Sequence, residues 1–315
     1  MILNRADQTT AIRALKSAAP YIRMYKGKTF VVKAGGGVFA DTESTRVLIE
    51  QIAILHYFGV RVVMVHGGGP QVTELEGALG LQSKVVQGRR VTDAKSIDVT
   101  AMVLNGLINT RILGICRDLN IDAIGISGVD AGLVRAHKRP PVKMDGGEVV
   151  DYGFVGDING VDTTVLKKLL DNGLMPVVSP LSADESGVLL NINADTVAAA
   201  IGAELGAEKL ILCTGAPGIL ERVDDPGSLI SYTDLRGLKR LRDEKRIVDG
   251  MLPKAKAIED AIRGGVRRVH VVSYKSPEGI LGEVFTNEGT GTLIVADINA
   301  IPPNEQQTGG GAPPP

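Results

Sequence analysis

The sequence predicts an α/β fold built on a mainly parallel sheet, and two stretches carry that prediction. In Val60 to Pro70, V-R-V-V-M-V-H-G-G-G-P, the residues Val62, Val63, Met64 and Val65 form an unbroken apolar run rich in β-branched side chains. Such a run suits a strand covered on both faces. Gly67, Gly68 and Gly69 end it, and Pro70 suits the first position of a helix whose apolar residues Val72, Leu75 and Leu79 recur at helical spacing. Thr29 to Lys33 repeats the arrangement, followed by Ala34, Gly35, Gly36 and Gly37, with a lysine delivered beside the glycines. Two adjacent parallel strands ending in this way place both turns on one carboxyl edge, where open α/β sheets take ligands. Backbone N–H groups in such turns approach anions closely, and a helix N-terminus favours negative charge. A phosphate-handling cleft is therefore expected.

The remaining elements follow in order. Residues 11–19 read as a short helix with Ile12, Leu15 and Ala19 on one side, ended by Pro20. After the Lys33 loop, Asp41 or Thr42 can cap a helix running to about Phe58, with Gly59 as its stop. Residues 85–91, containing Arg89 and Arg90, form the next strand pattern, and a long helical pattern covers 93–119, with Gly106 and Gly114 as points where it can bend. Residues 123–127 read as a strand, and 133–136 with 149–155 as a hairpin joined by a Pro/Gly-rich loop. A helix from Asp162 to Asn172 and a strand over 174–178 precede a polar break at 182–187, taken as the boundary between two lobes. Beyond it come a strand over 188–192, an Ala-rich helix over 196–205, an apolar strand over 209–213, a polar, mobile region over about 224–249, a helix over 255–263, a strand over 269–272, a helix over 278–285 and a strand over 292–295. Residues 302–315, rich in Gly, Pro and Gln, are expected to be disordered.

Composition narrows the function. With 315 residues, 44% of them apolar, 23% charged, a net charge of −1 and 3% aromatic, the chain describes an ordinary soluble protein with a large core. The low aromatic content and balanced charge point away from nucleic acid as a partner. No apolar stretch reaches the ~18 residues of a membrane span, and Arg5, Asp7, Arg13 and Lys16 interrupt any secretory pattern, so no membrane is expected and the location is cytoplasmic. Cys116 and Cys213 read as buried thiols, and the histidines show no metal-ligand spacing. His66, beside a glycine turn, either packs or touches a ligand.

Phosphoryl transfer needs compact positive charge near the transferring oxygens. Lys33 and Lys254 are the candidates. Lys254 follows Gly250-Met251-Leu252-Pro253 at the start of a helix, where a cation opposes the dipole, so an anionic ligand is expected nearby. Asp195 lies at a strand-to-helix transition, where it either caps the helix or holds both lysines in place. Asn191 and Asn193 can donate to a substrate carboxylate or serve as turn residues. Arg90 can grip a carboxylate bidentately, and Arg89 competes for that role because neighbours on a strand face opposite ways. A Walker lysine motif, a protein-kinase signature and a nucleophile elbow are all absent from the sequence.

Taken in order, V-V-K-A-G-G, V-H-G-G-G-P, G-R-R-V-T-D, N-I-N-A-D and D-G-M-L-P-K resemble the amino acid kinase family over about Tyr21 to Val295, and within it the branch acting on N-acetyl-L-glutamate. The resemblance implies an open αβα sandwich of two lobes: residues 25–181 for the amino-acid substrate and phosphate loops, and residues 182–301 for ATP. It implies phosphorylation of the side-chain carboxylate by ATP, with Mg²⁺ carried on the nucleotide phosphates and no protein metal site. A related kinase for N-acetyl-aminoadipate, or a non-catalytic sensor on the same fold, is the alternative. By motif, Lys33 and Lys254 would stabilise the transition state and Asp195 would organise them. Gly68, Gly69, Arg90 and Asn191 would bind the acyl amino acid. Gly35 and Gly36, the turn Gly215, Ala216, Pro217, Gly218, Ile219 and Leu220, and the segment Arg246, Ile247 and Val248 would border the nucleotide. The stretch A-A-P-Y-I-R-M-Y-K-G-K-T-F, residues 18–30, resembles the extra helix of arginine-inhibited members, which makes residues 1–24 an oligomerisation arm and implies a homo-oligomer, dimer or hexamer, with L-arginine as inhibitor. Gly215 stands where an Asp is common in that family, and Ala34 where Tyr or Leu is.

Overall fold

Side chains along a strand alternate between the two faces of its sheet, so a wholly apolar strand needs cover on both. Thr29–Ala34 has it: Phe30, Val32 and Ala34 enter one buried cluster with Leu48, Met64 and Ile108, while Val31 enters another with Val63, Val65 and Val197. A computed structural model describes residues 5–86, 89–144, 146–222, 225–247, 250–286 and 289–300. Its centre is an eight-stranded sheet in the order Tyr232–Asp234, Thr292–Val295, Arg268–Ser273, Lys209–Thr214, Thr29–Ala34, Arg61–His66, Met175–Ser179, Ala123–Ser127. Neighbours run parallel except at Arg268–Ser273 and Thr292–Val295, which pair antiparallel. One face is covered by the helices Ala194–Glu204 and Met251–Arg263, the other by Thr42–Tyr57 and the long helical stretch from Ala94 to Asp118. The expected αβα sandwich is the architecture found. A four-stranded sheet, in the order Leu189–Asn191, Leu181–Ala183, Val134–Lys138, Gly156–Val161, and two small hairpins lie beside it.

Register brings the glycine turns level. Lys33 pairs with Val65 on one side and Leu212 on the other, and Ala34 with His66 and Cys213, so three strands end together. Of the two proposed caps, Asp41 is the one used, its carboxylate accepting from Ser44 N at 2.7 Å.

Several elements differ from expectation. The first helix runs Arg5–Tyr25 with Pro20 inside it. Proline removes one helical hydrogen bond at a cost of about 3 kcal/mol, but Tyr21 and Tyr25 beyond it are buried, and Tyr25 packs edge-on against Phe30 at 5.2 Å. That burial offsets the lost bond and carries the helix past the proline. Residues 85–91 are two short strands, Lys84–Val86 and Arg89–Val91, paired antiparallel. The expected pairing of 133–136 with 149–155 is replaced: Val134–Lys138 pairs with Gly156–Val161, and Val142–Lys143 with Val149–Val150. The region 224–249 holds a strand, Tyr232–Asp234, and a helix, Leu235–Asp243, whose Leu238 and Leu241 are buried at three-residue spacing. Residues 182–187, the expected lobe boundary, belong to the antiparallel pair Leu181–Ala183 and Leu189–Asn191 and its turn.

Residues 94–118 form 25 consecutive helical residues whose most apolar window has a mean hydropathy of 1.4, long and apolar enough by those two measures to cross a membrane. This corrects the expectation that no stretch qualifies; isolated polar residues such as Asn105 and Asn109 interrupt the apolar run without lowering its mean below that level. Val103, Leu104, Ile108 and Ile112 of this helix pack into the core. A π-helical segment, Met102–Asn109, occupies its middle, where Gly106 was expected to allow a bend. The tail 302–315 and Val248 lie outside the described residues.

Candidate active site

Asn191-Ile192-Asn193-Ala194-Asp195 leaves the end of one strand and starts the helix Ala194–Glu204. The cap of that helix is Asn193, whose side-chain oxygen accepts from Asp195 N at 2.8 Å and Thr196 N at 3.3 Å. Asp195 is thereby released from capping. Its Oδ1 lies 2.9 Å from Lys33 Nζ, and Lys254 Nζ donates to Oδ1 and Oδ2 at 3.0 and 3.1 Å. All three side chains are buried. Burial alone would raise the Asp195 pKa, but the charges of Lys33 and Lys254 overcome it and bring the group down to about 2. Burial, and then the neighbouring Lys33 charge, lower the pKa of Lys254 against the raising effect of Asp195. Two cations share one anion, so the cluster keeps one uncompensated positive charge while every ammonium has a partner. Lys254 sits in the first turn of Met251–Arg263, where the dipole opposes it, and the anion beside it is Asp195 of the protein itself, where an anionic ligand was expected.

The glycine turns interlock beside this cluster. A Cβ on Gly36 would lie 2.6 Å from Pro70 Cδ and 3.0 Å from Gly68 Cα, and Gln71 Nε2 donates to the Gly36 carbonyl at 2.8 Å. A Cβ on Gly68 would meet Ile108 Cδ1 at 2.4 Å. Only glycine permits both approaches. A cleft of about 240 Å³ opens here, and the expected residues Lys33, Gly35, Gly36, Gly68, Gly69, Arg90, Asn191 and Asp195 all line it. That volume is below the ~300–1,000 Å³ of drug-sized ligand sites and suits a small acid. Thr100, Leu104, Val155 and Pro180 line it as well and were not foreseen. Pro180 was findable, since it follows a strand at the same carboxyl edge; Val155 lies beyond short strands whose pairing is not local.

Other expected residues lie elsewhere. His66 is fully buried between Gly67 O at 3.3 Å and the Asn109 amide at 3.2 Å, and burial lowers its pKa to about 4, so it packs as a neutral ring. Cys116 and Cys213 are buried thiols with pKa values pushed up to about 12 by burial. The turn from Gly215 to Leu220 follows the neighbouring strand Lys209–Thr214, outside the cleft. Ile219 and Ile247 are core residues, with Ile219 N donating to Thr292 Oγ1 at 2.8 Å. Arg246 reaches Glu221 at 3.0 Å, so its segment adjoins that turn. Gly215 faces Tyr274: a Cβ there would lie 3.4 Å from the Tyr274 hydroxyl. Among the described residues no group of three or more His, Cys, Asp or Glu side chains could hold a metal ion.

Buried paired lysines held by one carboxylate, next to glycine turns at the carboxyl edge of an αβα sheet, gather the compact positive charge that phosphoryl transfer requires. The comparisons specify which kind. A family model described as the amino acid kinase family matches residues 28–273, and the chain belongs to that family. An acetylglutamate kinase of Myxococcus xanthus is 46% identical over 289 residues, covering 90% of this chain and 94% of the relative. One from Archaeoglobus fulgidus is 40% identical, covering 90% and 98%. Among solved structures, an N-acetylglutamate synthase from Neisseria gonorrhoeae complexed with coenzyme A and N-acetyl-glutamate superposes with a TM-score of 0.79 at 26% identity, covering 91% of this chain and 63% of that one. A carbamate kinase from Giardia, at 17% identity and a TM-score of 0.62, shares the fold.

Proposed function

We propose that the protein is an acetylglutamate kinase, transferring the γ-phosphoryl group of ATP to the side-chain carboxylate of N-acetyl-L-glutamate and releasing ADP and N-acetyl-L-glutamyl 5-phosphate in arginine biosynthesis. The observation that carries the reading is the Lys33–Asp195–Lys254 cluster, whose Lys33 and Asp195 line a cleft of small-acid size. Relatives bearing that name at 38–46% identity over about nine-tenths of the chain support it. In this reading Lys33 and Lys254 neutralise charge on the transferring oxygens, Asp195 fixes their positions, and Gly68, Gly69, Arg90 and Asn191 hold the acyl amino acid. The nucleotide lies along Gly35, Gly36, the turn from Gly215 to Leu220 and Arg246 with Ile247; Val248 of that segment lies outside the described residues. Mg²⁺ arrives on the ATP phosphates. Residues 25–181 serve the acceptor and 182–301 the nucleotide. The enzyme is cytoplasmic, and the 1–24 arm, with Ile12 and Leu15 exposed, joins subunits into a dimer or hexamer that L-arginine inhibits.

The test is ADP release by the purified protein with Mg-ATP and N-acetyl-L-glutamate, N-acetyl-aminoadipate or glutamate, trapping the acyl phosphate as a hydroxamate. Strong preference for N-acetyl-L-glutamate is expected. Preference for the longer acid would move the acceptor assignment, and ATP binding without turnover on any of the three would overturn the kinase reading.

A further inference from the structure

Three adjacent strands of the central sheet end level at its carboxyl edge. Ala34 pairs with Cys213, Cys213 with Val272, and Thr214 with Ser273, so the glycine turn after Lys33, the turn beginning at Gly215 and the residue Tyr274 emerge side by side. Tyr274 is fixed there. Its backbone N–H donates to the Thr214 carbonyl at 2.9 Å, and its ring packs against the buried cluster that holds Phe30, Val32 and Phe39.

Two glycines show where the hydroxyl goes. A Cβ on Gly37 would lie 2.7 Å from Tyr274 Oη and 3.5 Å from Cζ, and a Cβ on Gly215 would lie 3.4 Å from the same oxygen. The side chain thus leaves one strand, crosses the end of Lys209–Thr214 and brings its hydroxyl to the turn that follows Thr29–Ala34. Tyr274 is half-buried, and among the described residues no hydrogen bond engages its hydroxyl. A phenolic O–H drawn out of water normally finds a partner, since an unmade bond costs free energy. Lys33 Nζ stands 3.7 Å from where a Cβ on Gly35 would be, so a cation and a neutral donor flank the same three glycines. Phosphate oxygens are acceptors that suit both.

We propose that Tyr274 is a nucleotide-binding residue whose hydroxyl donates to a phosphate oxygen of the nucleoside di- or triphosphate lying across the turns at 35–37 and 215–220. The inference rests on the kinase reading and deepens it by naming a phosphate donor outside the acceptor cleft. One hydrogen bond to a charged oxygen is worth about tenfold in affinity.

The experiment measures binding of ADP and of N-acetyl-L-glutamate by calorimetric titration, and steady-state kinetics with Mg-ATP, in wild type, Tyr274→Phe, Gly37→Ala and the double variant. Tyr274→Phe keeps the ring and its packing. It should weaken ADP and raise KM for ATP about tenfold, with kcat changing less than KM and binding of the acyl amino acid within about twofold. Gly37→Ala, whose methyl group displaces the hydroxyl, should weaken ADP at least about fivefold in the wild-type background and less than about twofold in the Tyr274→Phe background. Unchanged ADP affinity in Tyr274→Phe, equal loss on both ligands, or additive losses in the double variant would overturn the inference and leave the kinase reading standing. Selective, non-additive loss of ADP binding in a protein whose wild type turns over no acceptor would do the reverse.

Discussion

Asn193 and Asp195 stand two residues apart on one helix start and serve different ends. Asn193 takes the capping role that sequence reasoning left open for Asp195, and that division frees the carboxylate for the lysines. Lys254→Ala should therefore lower kcat by about 10²–10³-fold while KM for the acyl amino acid changes only a few-fold, since its charge matters most as the phosphoryl group transfers. Steady-state kinetics would check this, and an unaltered kcat would remove Lys254 from the chemistry. The depressed pKa of Asp195, about 2 against an unfolded 3.8, has its own consequence. A lowered carboxylate contributes stability fully above its unfolded pKa and loses it as pH falls through the folded value. The gap in urea midpoint between wild type and Asp195→Asn should be wide near neutrality and narrow below about pH 4. A gap constant across that range would mean the ion cluster is not what the carboxylate stabilises.

At the scale of elements, strands that are apolar on both faces were legible because a parallel sheet demands it, and the two glycine turns were legible with them. What escaped was pairing between short segments far apart in sequence: Val134–Lys138 with Gly156–Val161 is specified by neighbouring layers, not by local pattern. The helix Leu235–Asp243 escaped for another reason. Its Leu235, Leu238 and Leu241 mark a stripe, but four basic residues hide it in composition. The pairing of Arg90 with Glu76 escaped too, because the two meet only once helix and hairpin pack together. The packing of the glycine turn against the long helix predicts that Gly68→Ala, with its Cβ driven into Ile108 and Leu104, will destabilise the protein by about 1–3 kcal/mol and lower activity. Chemical denaturation would read this, and an unshifted midpoint would show that the long helix yields.

For the whole molecule, the first helix docks through Tyr21 and Tyr25 and leaves Ile12 and Leu15 outside, 55% and 58% exposed. If that arm joins subunits, Ile12→Asp with Leu15→Asp should reduce the mass measured by light scattering without altering the helical circular dichroism. An unchanged mass would send the search for the interface elsewhere. The register of the central sheet carries a wider consequence. Lys33 reaches Asp195 only because Thr29–Ala34 sits level with both neighbours, and a slip of one residue would turn every side chain of that strand to the opposite face. A misaligned chain would present Phe30 and Val32 where Val31 belongs and would have no lysine at the cleft. During refolding, recovered turnover is then a clock for the moment the middle strands lock.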